Sequence, residues 1–431
     1  MTPITEDGCE RELVHVDTET GKSKMNEAER KIRIAVVSPF LDKSYGTERT
    51  VIEWLCHLPD SFELHVYSER VQDLPPSRFT FHRIPSIPGP GLLRFLWWFA
   101  ANHVSRAWDR RVGRLRYDLV YSPGINCFDA DVISVHIVFA EYQRQARREL
   151  RPTRNPIRSW PRLLHQRMYY GLIIALENRI YPDRDTALVL YAKKTAKDLQ
   201  RFYGRRDRLP ILYLGLDHEV FNPLRCTALR DTARQQLDLT PDRFTLLLVG
   251  NDLRKKGISV LLDAMSQLRE LPLDLLVVGR EDPAPFRRMV QERALEGHVH
   301  FLPPRKDVEF YYAAADAYTG PSLEDTFALP PAEAMACGLP VIVSAENGTV
   351  EIMTDEIDGM ILKDATDAES LAAMIRRLFV DAEFRASLGR KASETARQYS
   401  WERNGKDLAQ IFEEVLRQKA NPSEKTLAPV L

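Results

Sequence analysis

The stretch Pro321–Gly338, PSLEDTFALPPAEAMACG, decides how the rest of the chain is read. An apolar run, Ala317–Thr319, stops just before Pro321, and a short loop carrying Glu324 and Asp325 follows. Proline is tolerated in the first turn of a helix, so the pair Pro330–Pro331 predicts a helix over Pro331–Cys337. Glu333 then lies in that first turn, eight residues after Asp325. Carboxylates on either side of a helix N-terminus suit a polyhydroxylated ligand. They accept from hydroxyls, while free backbone N–H groups donate to hydroxyl or phosphate oxygens. Helix capping beside a solvated charge is the plainer reading of the same residues.

Working outward, apolar β-branched runs alternate with helical patterns in two series. The second series holds Thr245–Val249, Leu275–Val278, His300–Leu302, Ala317–Thr319, Val341–Val343 and Met360–Leu362. The first holds Ile32–Ser38, Glu63–Tyr67, Thr80–Ile84, Asp118–Tyr121, Val132–His136 and Ala187–Leu190. Helices are expected at Thr47–Leu58 and Ile258–Arg269, and the C-terminus is expected to be helical from about Ala368 to Arg417. Strand–helix alternation implies an α/β fold with two parallel, doubly wound sheets and a cleft between their carboxyl ends. Glycine, asparagine and proline cluster at Leu214–Pro223, which places the boundary there. The expected domains are 31–218 and 219–400, with a last helix over 401–418 and loose tails at 1–30 and 419–431.

Three further stretches carry chemistry. In Leu246–Leu262, LLLVGNDLRKKGISVLL, a strand runs into Gly250, and Arg254, Lys255 and Lys256 precede Gly257 and a helix. Basic groups at such a turn suit a diphosphate, although a solvated basic turn is the common alternative. In Ser38–Glu53, SPFLDKSYGTERTVIE, Gly46 allows close backbone approach and Thr47 is a candidate helix cap. A short βα connection explains the same residues. In Asp131–Glu141, DVISVHIVFAE, His136 ends a strand, where a histidine is either structural or a ligand contact.

These motifs together resemble the retaining GT-B glycosyltransferases of the family-4 group. PSLEDTFALPPAEAMACG is similar to that family's PS-x-x-E-G-F-G-L-P-x-x-E-A-M-A-x-G signature. The resemblance implies two Rossmann-like domains and a C-terminal helix, opening at Ser400–Arg403, that crosses back to the N-terminal domain. It implies that Glu333 binds the ribose hydroxyls of a sugar nucleotide. Asp325, with the backbone of Thr326, Phe327, Ala328 and Leu329, would hold the transferred sugar. Asp325 stands where the family has glutamate, Thr326 and Ala328 replace glycines, and Glu324 competes for the first carboxylate. Lys256 falls on the phosphate-binding lysine of V-G-R-L-x-x-x-K-G. The arginine of that motif falls on Asn251, next to Gly250, and Arg254 is the candidate replacement guanidinium. By the same resemblance Gly46 and Thr47 meet the donor, His136 contacts the donor sugar, and Pro304–Arg305 cradle the nucleobase. Tyr213–Pro223 resembles the interdomain segment. In this family the basic pair neutralises the leaving diphosphate, so no metal and no cofactor beyond the nucleoside-diphosphate sugar are expected. The Asp129–Asp131 and Asp183–Asp185 pairs read as turn chemistry.

The chain has 431 residues, 44% of them hydrophobic, and a formal net charge of −1. Whole-chain disorder, collagen-like and coiled-coil readings are excluded by that composition, and the near-zero net charge argues against a dedicated nucleic-acid binder. The balance is uneven, however. Residues 83–170 hold 15 basic and 6 acidic side chains, and 141–170 alone hold eight arginines. Together with Leu92–Phe99, residues 92–116 and 141–170 form an aromatic, basic arm suited to a membrane surface or a lipid-phosphate acceptor. A core helix with a solvated basic face is the alternative. Five scattered cysteines with no C-x-x-C pair suggest a reducing compartment. Met1–Lys31 has no secretory apolar core, and Met25 is an alternative start. The resulting expectation is a cytoplasmic enzyme, peripheral on the inner face of a membrane. It would transfer a hexosyl group from a UDP- or GDP-sugar to an acceptor hydroxyl in polysaccharide, glycolipid or related synthesis. A nucleotide-sugar epimerase on a similar fold and a non-catalytic sugar-nucleotide binder are the rival readings.

Overall fold

The computed structural model describes residues 30–43, 46–146 and 160–421. Cys9, Met25, Tyr45, residues 147–159 of the basic arm and the expected tails apart from Arg30 and 419–421 lie outside it.

The first sheet is built from β1 (Ile32–Val37), β2 (Phe62–Ser68), β3 (Phe79–Arg83), β4 (Leu119–Pro123), β5 (Val132–Val135) and β6 (Ala187–Leu190). The second uses β7 (Phe244–Val249), β8 (Leu273–Val278), β9 (Val299–Leu302), β10 (Ala317–Gly320), β11 (Val341–Ser344) and β12 (Met360–Leu362). All pairings within both sheets are parallel. The orders are β3-β2-β1-β4-β5-β6 and β9-β8-β7-β10-β11-β12, so each sheet follows the same path. Both faces of such sheets are covered, which is why β8 is buried at every position and reads as an unbroken apolar run.

The helices are α1 (Gly46–Cys56), α2 (Gly91–Arg111), α3 (Phe139–Ala146), α4 (Trp160–Ile180) and α5 (Lys193–Tyr203) around the first sheet. Around the second lie α6 (Pro223–Gln236), α7 (Ile258–Ser266), α8 (Ala284–Glu292), α9 (Glu309–Ala314), α10 (Leu329–Ala336), α11 (Ala368–Val380) and α12 (Ala382–Ala396). The last helix, α13 (Trp401–Ala420), returns to the first domain. It packs on α1, where Trp54 Nε1 donates to Asn404 Oδ1 at 3.2 Å, and Phe412 meets Phe62 and Tyr121 ring to ring. One apolar cluster therefore runs from Val36 and Trp54 through Phe221 and Phe412 to Tyr312 and Met335.

The helical stretch expected from about Ala368 to Arg417 is three helices, the last of them opening at Ser400 as expected and an additional break falling at Asp381. Asp381 and Ser400 each turn their side chains onto a backbone N–H three residues on, at Phe384 and Arg403. Such caps restart a helix because they satisfy donors that have no intrahelical partner.

Arg106 also differs from its expected place in an exposed basic face. It is buried, its guanidinium is bidentate on Asp129 at 2.7 and 2.8 Å, and Asn102 Oδ1 accepts a further bond. Several apolar residues of α2 are turned outward beside the exposed Arg94, Arg110 and Arg111: Leu93, Leu96, Trp97, Val104 and Trp108 are exposed, while Trp98 is buried.

Candidate functional site

In a 3-2-1-4-5-6 sheet the strand order reverses between the first and fourth strands, and loops at their carboxyl ends open a crevice. In the second sheet those strands are β7 and β10, paired through Leu246–Ala317 and Leu247–Tyr318. Gly250–Gly257 and Pro321–Ala328 therefore emerge side by side. They are tied together where Leu323 N donates to Lys255 O at 2.7 Å. Gly257 has φ +77°, and a Cβ there would lie 1.9 Å from Pro321 O. Only glycine lets the two loops pack this closely. At Gly250 a Cβ would meet Lys256 Cγ at 2.7 Å, so the lysine stem lies directly across the glycine.

These loops form one wall of a cavity of about 570 Å³. The other wall comes from the first domain. The cavity brings together Gly46, Thr47, His136, Gly250, Asn251, Lys256, Asp325, Thr326, Phe327, Ala328 and Leu329. Lys256 Nζ is ion-paired with Asp325 Oδ2, both largely shielded from solvent. Across the cleft, the Thr326 hydroxyl donates to the His136 carbonyl at 3.2 Å. The His136 ring stacks on Tyr191 with centroids 4.8 Å apart, and its Nε2 lies 3.3 Å from the Tyr191 hydroxyl. Burial pushes its pKa down to about 3, so the imidazole is neutral and offers one donor and one acceptor.

Other expected residues are placed differently. Arg254 lies over the Phe286 ring, 5.6 Å from its centroid, and is absent from the cavity wall. Lys255 takes its place there, with its ammonium 4.2 Å from the Tyr142 ring centroid. Asn251 faces the cavity but its Oδ1 accepts from Arg280 N at 3.1 Å, so it holds a neighbouring loop. Thr47 does not cap α1. It lies within the helix, and its hydroxyl bonds Glu48. The Ala328 N–H is already donated to Asn347 Oδ1 at 3.3 Å. Pro304 and Arg305 stand on the loop after β9, where Arg305 pairs with Asp307 and covers Phe310. Glu333 is buried one helical turn beyond Leu329, between Tyr312 and Arg49.

The acidic end of the cavity is formed by Glu141, Asp198 and Glu324 near Tyr142 and Thr195; sequence reasoning singles out Glu324 but misses Glu141 and Asp198. Burial, reinforced by Glu141, raises the Asp198 carboxyl, and burial raises that of Glu324. Asp198 and Thr195 follow the strand Ala187–Leu190 on a helix face. Only that position hinted at them. Among the described residues no group of three or more His, Cys, Asp or Glu side chains is arranged to hold a metal ion.

Comparison with known proteins agrees with this geometry. Residues 230–395 match the family described as Glycosyl transferases group 1. A D-inositol 3-phosphate glycosyltransferase of Salinispora tropica is 32% identical over 257 residues, covering 56% of this chain and 53% of that protein. The chain thus spans about half the length of the curated relatives it matches. WaaG, described as a glycosyltransferase involved in lipopolysaccharide biosynthesis, superposes with a TM-score of 0.69 at 21% identity. That match covers 88% of this chain and 99% of WaaG. Anabaena Alr3699/HepE, solved with UDP-glucose, gives 0.64 at 19% identity, over 89% of this chain and all of its own. The fold is GT-B, and the resemblance to group 1 glycosyltransferases drawn from the motifs holds.

Proposed function

We propose that this chain is a retaining glycosyltransferase of the family-4 type. It moves a hexosyl group from a UDP- or GDP-sugar to an acceptor hydroxyl. The observation that carries the reading is the Lys256–Asp325 ion pair at the switch point of the second sheet, facing neutral His136 across the cavity. With a donor bound, Lys256 neutralises the diphosphate, Asp325 accepts from hydroxyls of the sugar, and Glu333 accepts from the ribose diol. The bond from the anomeric carbon to the diphosphate oxygen breaks. The acceptor oxygen bonds to that carbon on the same face, and its proton passes to a phosphate oxygen of the leaving group. The diphosphate's developing charge is stabilised by Lys256, and no protein nucleophile is needed. Lys255 reinforces the positive field in place of Arg254. This chemistry needs no metal ion.

The acceptor presents a hydroxyl, is lipid-linked or anionic, and is used in polysaccharide, glycolipid or related glycoconjugate synthesis. The outward apolar stripe of α2, with exposed Arg111 at its end and Arg114 and Arg116 beyond it, supports a peripheral site of action on the cytoplasmic face of a membrane. Leu164 and Met168 of α4, a helix in contact with α2, are exposed as well. No described helix is long and apolar enough to cross a membrane.

The test is incubation with labelled UDP- and GDP-sugars, with and without a membrane extract. Transfer to an extractable acceptor with retained anomeric configuration is expected. Epimer formation without acceptor, or binding without turnover in every extract, would overturn the reading.

A further inference from the structure

Both oxygens of Glu333 are already engaged. Its Oε2 accepts from the Tyr312 hydroxyl at 2.7 Å, and its Oε1 accepts from Arg49 Nη1 at 3.2 Å. The two donors are anchored differently. Tyr312 is fully buried on α9, in the same domain, with its ring edge-on to Phe221 at 5.7 Å. Arg49 projects from the first turn of α1, in the other domain, 284 residues away in sequence.

The Glu333 side chain is 5% exposed. A carboxylate buried to that degree is costly without a counter-charge. Tyr312 supplies a hydrogen bond but no charge. Burial and the neighbouring Glu333 hold its phenol well above the usual range, so it remains a donor. The neutralising charge comes from Arg49, and only while the two domains are together.

We infer that Arg49 is a positioning residue that couples closure of the cleft to nucleotide binding through Glu333. The inference rests on the reading of Glu333 as the ribose-binding carboxylate. A carboxylate offers about four lone-pair positions. Tyr312 and Arg49 occupy one on each oxygen, which leaves one on each oxygen for a vicinal diol. When the domains part, the carboxylate loses its charge partner and one of the two bonds that orient it. Nucleotide binding and closure therefore favour each other by the same factor.

The experiment compares wild type, Arg49→Ala, Arg49→Lys, Glu333→Gln and the Arg49→Ala/Glu333→Gln double variant. Calorimetry gives the affinity for UDP and for GDP, and small-angle scattering gives the radius of gyration with and without nucleotide. Melting curves establish that each variant is folded. Arg49→Ala is expected to weaken nucleotide binding about tenfold, within the usual range of coupling factors. It should also enlarge the nucleotide-free protein and raise donor KM more than it lowers kcat. Arg49→Lys should restore part of the affinity, and the double variant should bind little worse than either single one. Wild-type affinity and radius in Arg49→Ala, with Glu333→Gln weakened, would overturn the coupling alone. Unchanged affinity for both nucleotides in Glu333→Gln would overturn the ribose reading. A lowered melting temperature in Arg49→Ala without either change would reduce Arg49 to a structural role and overturn the coupling.

Discussion

The two sheets follow one path, yet their faces toward the cleft are built from opposite materials. In the second domain the loops after β7 and β10 are packed backbone on backbone, and Lys256 and Asp325 meet over them. In the first domain the cavity wall is aromatic and acidic, with Tyr142, Tyr191, Glu141 and Asp198, while the outer helix α2 turns tryptophan and leucine to solvent. Strand order places a crevice in each domain. Side-chain chemistry then makes the two crevices different: the proposed function assigns a diphosphate to the basic one and a variable partner to the other.

The sharpest way to break that contrast is to remove the positive end. Lys256→Ala should lower kcat by roughly 10²–10³-fold, the scale of a lost transition-state stabiliser, while leaving the melting temperature near wild type. Steady-state kinetics with a labelled donor measure it. Near-normal turnover would remove Lys256 from the site.

Packing on the two walls can be compared by a matched pair of substitutions. Gly257→Ala forces a Cβ into Pro321 O at a positive φ, and should destabilise the protein by about 3 kcal/mol in denaturant unfolding. At Gly46 a Cβ would meet nothing within 4 Å, so Gly46→Ala should keep stability but obstruct the ligand face. Equal stability of the two variants would mean the loops are not locked together.

Glu177 supports the first-domain wall from behind. It is fully buried and accepts from Phe139 N, Ala140 N and the Tyr203 hydroxyl, at the start of the helix that carries Glu141 and Tyr142. Burial raises its carboxyl to about 7. The folded state therefore holds the proton more tightly than the unfolded chain. Its stabilising effect is complete below pH 4.5 and is lost as pH rises to about 7. Unfolding between pH 5 and 8 should show a decline of up to about 3 kcal/mol from this group, and Glu177→Gln should flatten it. A profile identical in the variant would refute the assignment.

The smallest effect concerns the outer helix. Trp108 is 65% exposed. Trp108→Ser should weaken binding to anionic vesicles by about 1–2 kcal/mol with little change in stability. Sedimentation with vesicles at two salt concentrations measures this, and binding equal to wild type would argue for a different surface.

Much of this was legible in the chain. All twelve expected strands are present, because apolar β-branched runs bounded by glycine and proline have few alternatives. The loops at Gly250–Gly257 and Pro321–Ala328 were legible because their chemistry is local. Arg254 and Lys255 were not distinguishable by sequence. They are neighbours on one turn, and a turn sends adjacent side chains to opposite sides, one onto Phe286 and one into the cavity. The arginines of the α2 region looked alike for the same reason, until Asp129 drew Arg106 inward.

By itself, then, the sequence determined the α/β class, the pairing of two similar halves and the segments that carry basic and acidic groups near a helix start. These follow from periodicity and from residues that act within a few positions of one another. Tertiary structure alone decided which charges meet. Lys256 finds Asp325, Glu333 finds Arg49, and Thr326 reaches the His136 carbonyl across separations of 69, 284 and 190 residues. Such pairings depend on parallel sheet register and on the return of α13 to α1, and no local pattern encodes either.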